Sequence, residues 1–142
     1  MSKHETARVV THGTGNFEVK SWDEGPYNEV EDLPKLTRAS VTYQHRGIID
    51  GEGNSASLMV YSSDGSASFV TLERIIGRVG DRSGSFVLQG SGTYDKTEGV
   101  ARGTWFVVPG SATGQLAGLR GEGAFVAGHE PPGEITFDYH FE

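Results

Sequence analysis

The sequence predicts an all-β protein, a single closed antiparallel barrel of about eight strands, and three observations carry that prediction. Apolar residues alternate with polar ones at period two and rarely recur at the three-to-four spacing of a helix. Glycine accounts for 21 of the 142 residues, about twice the usual ~7%, and interrupts nearly every window in which a helix could form. Turn residues recur at even intervals and leave strand-like runs near 15–23, 35–46, 48–61, 66–78, 83–94, 99–108, 116–127 and 134–142.

The last run is the plainest. Ile135, Phe137, Tyr139 and Phe141 alternate with Glu134, Thr136, Asp138 and His140, so one face is buried and His140 is expected on the solvent side. Runs of ten or more residues that bend at internal glycines (Gly51, Gly53, Gly90, Gly92, Gly121, Gly123) suit the tilt of a barrel better than a flat sandwich, and closure removes the edge strands. Residues 24–34, with Gly25-Pro26 and the carboxylates Glu29, Glu31 and Asp32, read as a solvated acidic loop and not a calcium site, which needs a denser ligand spacing. The whole chain, 1–142, is expected to form one domain, with 1–13 as a flexible arm.

The hairpin Ser62-Ser63-Asp64-Gly65 decides which residues of the 48–61 strand face the lumen. A two-residue Asp-Gly turn places Leu58 and Val60 opposite Thr71 and Phe69; a type I turn with Gly65 as a left-handed bulge places Met59 and Tyr61 there. Ser-Ser-Asp-Gly suits the second form, which points Tyr61 inward.

A formal charge of −7 repels phosphate backbones and anionic lipid, which argues against nucleic acid and membrane partners. There is no Cys, hence no disulfide and no thiolate site, and no apolar leader or spanning stretch, so a cytoplasmic protein is expected. His4, His12, His45, His129 and His140 are scattered without a metal-binding spacing. Neither a Gly-x-Ser-x-Gly elbow nor a Rossmann or P-loop signature occurs. No metal and no cofactor is called for.

One segment carries a resemblance. Thr113-Gly114-Gln115-Leu116, followed by Gly118 and Gly121, resembles the Thr-Gly-x-Phe-x-Gly-x-x-Gly element of allene oxide cyclases and plant dirigent proteins, with Leu116 where those families prefer Phe. More broadly, Phe17-Glu18-Val19-Lys20-Ser21-Trp22, residues 69–73, Arg82-Ser83-Gly84-Ser85-Phe86-Val87-Leu88, 110–123 and Asp138-Tyr139 resemble the bacterial DUF3224 family, of unknown function, whose barrels are allene oxide cyclase-like. Physically, the glycines of this segment let backbones approach where the barrel pinches shut. A phosphate cradle is unsupported, since no Lys follows the glycines.

An eight-stranded barrel has room for side chains or for one small ligand, so polar residues pointing inward are the candidates for chemistry. If Ala67, Phe69, Thr71, Glu73 and Ile75 face the lumen, Glu73 is a carboxylate among apolar groups, poised for proton transfer. Glu73 and Tyr61 are the expected catalytic pair. Met59, Phe69, Thr71, Phe86, Leu88, Trp105 and Arg120 are the expected substrate contacts. The competing structural role for Glu73 is a pair with Arg120 or with a backbone amide near a barrel end, and for Phe86, Leu88 and Trp105 plain core. The resemblance implies a cofactor-free cyclase or isomerase acting on an unsaturated, largely apolar metabolite of polyketide type; the alternative is a barrel that binds a small hydrophobic molecule without converting it. The related cyclases assemble, and the outer apolar positions Val70, Leu72, Phe106 and Val108 would be hidden by a homo-oligomer, a dimer being the first expectation.

Overall fold

A computed structural model describes residues 9–142, and the described residues form strands and turns without a helix. In chain order the strands are β1 (Thr11–Pro26), β2 (Leu36–Gly47), β3 (Ile49–Tyr61), β4 (Ala67–Val79), β5 (Arg82–Asp95), β6 (Val100–Val107), β7 (Thr113–Gly114), β8 (Leu119–Ala127) and β9 (Gly133–Phe141). Neighbours run β4-β3-β2-β1-β9-β8-β6-β5, and β4 pairs with β5 to close the ring. Every pairing is antiparallel. The eight-stranded barrel is therefore as the sequence predicts, with β7 a short addition on the edge of β5.

Most strand limits match the alternation to within a few residues. The exception is β1, whose first residues, Thr11 to Gly13, pair with Tyr139 to Phe137 of β9, although they were expected in an arm over 1–13. Residues 1–8 of that arm lie outside the described residues. At the other end β1 extends to Pro26 through a register shift between Val19 and Ser21. This bulge changes the parity of the strand: Phe17 and Val19 share β2 partners with the inward set, His45 and Tyr43, and beyond Lys20 it is Trp22 and Glu24 that pair with inward Val41 and Ala39. One extra residue thus carries two even-numbered side chains onto the face the odd ones held.

The hairpin between β3 and β4 takes the bulged form. Gly65 has φ of 91°, its N–H donates to Ser62 O at 3.0 Å, and Ser62 N–H donates to Ser66 O at 2.8 Å. Tyr61 faces inward as expected. The register sits one pair further along, however: Tyr61 lies opposite Ala67, Met59 opposite Phe69 and Ser57 opposite Thr71.

One end of the barrel is solid. Ile49, Ile75, Val79, Phe86, Leu116 and Phe137 form its centre, each at most 2% exposed. The segment between β6 and β8, which carries the Thr-Gly-Gln-Leu element, crosses this end and drops Leu116 into the core, fully buried. Gly110, Gly114 and Gly118 all have positive φ, which lets the chain reverse tightly enough to do so. Ser111 and Gln115 accept the N–H groups of Val87 and Ser83, so the irregular backbone is tied to β5. Close approach is the other use of glycine here. The indole of Trp105 lies on Gly123, where a Cβ would stand 2.6 Å from it.

Outside, Val70, Leu72 and Phe106 stand 55%, 52% and 43% exposed, as the outer apolar positions expected from the sequence. Val108 does not belong with them, being half-buried. His140 also departs from expectation: it is half-buried, and its Nε2 has neither solvent access nor a partner.

Candidate functional site

The half of the barrel opposite the solid end is hollow, because small residues occupy the inward positions there: Ser57 on β3, Ala67 on β4, Gly90 on β5, Ala101 on β6 and Ala127 on β8. The cavity has a volume of about 380 Å³, within the range of small-molecule pockets. Its walls are aromatic, from Phe17, Tyr43, Phe69, Trp105 and Phe125, and it reaches the end that carries the β3–β4 and β5–β6 turns. A wider groove, about 1170 Å³, runs outside over Leu58, Val70, Leu72 and Phe106. Its charged groups Arg38, Glu122 and Asp138 are exposed, and Asp138 is engaged by His12 Nδ1 at 2.6 Å, whereas the inner cavity encloses a largely buried carboxylate and is the candidate site.

At the floor of the cavity Glu73 of β4 meets His45 of β2. Nε2 of His45 lies 2.7 Å from Oε2 of Glu73, and the two side chains are 5% and 13% exposed. The strands that carry them are not neighbours, since β3 runs between. The contact is made over Gly53, where a Cβ would overlap the Glu73 carboxylate and crowd His45 Nε2. Glycine is required there by the pair rather than by the backbone. His45 Nδ1 is buried without a partner. An orphaned acceptor is tolerated more readily than an orphaned N–H, which places the ring proton on Nε2, where it is donated to the carboxylate. Beside the pair, burial and then the Glu73 charge push the Tyr43 phenol up to about 12, with the Ser55 hydroxyl opposing. Tyr43 is therefore a protonated donor throughout the physiological range. On the wall between floor and mouth, Ser57 Oγ donates to Thr71 Oγ1 at 2.9 Å.

Tyr61 is at the other end. Six residues of β3 separate it from Ser55, the partner of Glu73, a distance of about 20 Å along the strand. The expected pairing of Tyr61 with Glu73 is thus corrected: Tyr61 donates to Oε2 of Glu24, which also accepts from Thr37 Oγ1 at 2.6 Å, while Glu24 Oε1 accepts from Trp22 Nε1 at 3.0 Å. Burial and the bond to Glu24 raise the Tyr61 phenol to about 12. For Glu24, burial acts upward but the bonds from Thr37, Tyr61 and Trp22 and the charge of Lys35 outweigh it, and its pKa falls below 4.5. A carboxylate with a lowered folded pKa contributes stability above its unfolded pKa and loses it as pH falls through the folded value. The protein should therefore lose thermal stability on acidification below about pH 5, and Glu24→Gln should flatten that limb; calorimetry across this range giving the same slope for both proteins would remove the role.

Of the expected contacts, Met59, Phe69, Thr71, Leu88 and Trp105 line the cavity together with Glu73 and Tyr61. Phe86 and Arg120 do not. Phe86 lies two residues beyond Leu88 toward the solid end and is fully buried there, because β5 enters the closed core at that point. Arg120 pairs with Glu142 at 3.0 Å on the exterior, so it does not pair with Glu73 either. Sequence reasoning missed His45, Tyr43 and Glu24. His45 and Tyr43 had a visible signal in the alternation Val41, Tyr43, His45 along the second run, whereas Glu24 had none, since the bulge that turns it inward leaves no mark in the pattern.

The protein is thus a closed eight-stranded barrel with one sealed end and an apolar cavity floored by a carboxylate–imidazole pair. The family profile of DUF3224, described as a protein of unknown function, matches residues 13–139. The chain belongs to the DUF3224 family. A crystal structure of a DUF3224 family protein with unknown function from Shewanella oneidensis MR-1 is similar to it over 94% of this chain and 99% of that one, at 29% identity and a TM-score of 0.76. Comparison with curated proteins finds no match.

Proposed function

We propose that the barrel is a cofactor-free cyclase or isomerase that confines an unsaturated, largely apolar small molecule, of polyketide type, and moves a proton on it. The observation that carries this reading is the Glu73–His45 pair at the floor of an otherwise apolar cavity. Glu73 takes a proton from one atom, exchanges it with water that its 13% exposure admits, and delivers a solvent-derived proton to a second atom. His45 holds one carboxylate oxygen in place, so the other is presented in a fixed orientation. Tyr43, kept protonated by burial and by Glu73, supplies a hydrogen bond where negative charge develops. The aromatic walls hold the substrate folded, which supplies the orientation that ring closure needs. The resemblance of Thr113-Gly114-Gln115-Leu116 to the element found in allene oxide cyclases supports the same class of reaction.

Incubation with a set of unsaturated metabolites in D₂O, followed by mass spectrometry, tests the reading. One compound should be converted to an isomer that carries a single solvent deuterium, and Glu73→Gln should slow this by about 10²–10⁴-fold. Retention of a compound without deuterium uptake or conversion would instead assign the protein as a non-catalytic binding barrel.

A further inference from the structure

The floor of the cavity also restricts the chemistry of what can occupy it, an inference that rests on the cavity being a ligand site. Glu73 has two oxygens with unlike fates. Oε2 is held by His45 Nε2 at 2.7 Å, whereas Oε1 has no partner among the described residues, is not sealed off from solvent, and belongs to a side chain that lines the cavity. A carboxylate oxygen only accepts. Glu73 meets the cavity as a carboxylate, and a second proton on the His45 ring would stand at Nδ1, which is buried with no acceptor near it. No Lys or Arg lines the cavity among the described residues, so nothing there offsets that charge or answers a second one. Desolvation within aromatic walls makes like-charge repulsion stronger than it is in water.

We infer that the ligand enters with an uncharged hydroxyl head, a phenol or enol attached to a flat unsaturated body, that donates to Glu73 Oε1, and that carboxylate, sulfonate or phosphate heads are excluded. The aromatic walls match the flat body, and the Tyr43 phenol beside Glu73 offers the head a donor of its own, so one hydroxyl is both accepted from and donated to. The mouth imposes no matching demand, because the Glu24 carboxylate is already engaged by Thr37, Tyr61 and Trp22.

Three probes of one shape separate the possibilities: 2-naphthol, 2-methylnaphthalene and 2-naphthoate, titrated at neutral pH against the fluorescence of Trp105 and Trp22, both of which line the cavity. Naphthol should bind about tenfold or more tightly than either of the others. In the Glu73→Gln protein, which keeps the shape but loses the charge, the gap between naphthol and naphthoate should narrow about fivefold or more. Naphthoate binding as well as naphthol, or methylnaphthalene doing so, overturns the head-group assignment and leaves the cavity a binding site. Failure of all three to bind overturns the cavity reading itself and this inference with it.

Discussion

Leu116→Ala should destabilise the protein by about 2–5 kcal/mol, the cost of emptying a fully packed site, although Leu116 lies in a turn just after the two-residue β7 and outside any strand. The reason is position. The segment crosses the sealed end of the barrel and its one large apolar side chain is fully buried against the core that includes Phe86 and Phe137. Denaturant unfolding measures the loss directly. Val126→Ala is the control: Val126 is 49% exposed on the outer face, and its truncation should cost about 0.5 kcal/mol or less. A loss below about 1 kcal/mol for Leu116→Ala would mean that the segment folds as an appendage, and that the Thr-Gly-Gln-Leu element is not what closes the barrel.

His45→Leu should cost about 3 kcal/mol, because it leaves the Glu73 carboxylate without the group that satisfies Oε2 in a largely dry site. The cost should sit at the lower end for buried pairs, since Glu73 is 13% exposed and the cavity can admit water to it. The double variant His45→Leu/Glu73→Leu separates pairing from packing. Replacing both partners with apolar side chains removes the stranded charge, so the double variant should regain most of the stability lost by the single one. If the two losses simply added, the pair would contribute nothing as a pair, and the support for its role in orienting Glu73 would go with it.

Much of this arrangement could be read in the residues. Alternation placed Glu73, Phe69 and Thr71 on one face of their strand, and Gly65 in a Ser-Ser-Asp-Gly turn pointed Tyr61 to the same side of the sheet. Both signals are local, since period two follows from the pleat and the turn type from the backbone freedom of a glycine. Strand register was less legible. The hairpin displaced the expected pairing by two residues without altering the face, because an even shift preserves parity.

Fold class, strand number and the closed topology were therefore determined by the sequence alone, because each depends on patterns a few residues long. Only the tertiary structure decided who meets whom. Glu73 and His45 are 28 residues apart and touch across an intervening strand because Gly53 presents no side chain between them. Trp22 and Glu24 reach the mouth because one bulge near Lys20 reverses the parity of β1. Which end is solid and which is hollow depends on how large and small side chains from all eight barrel strands and the 108–118 segment sum at each level of the barrel. Such meetings are set by register and stagger between strands far apart in the chain, and alternation within any one strand carries no information about them.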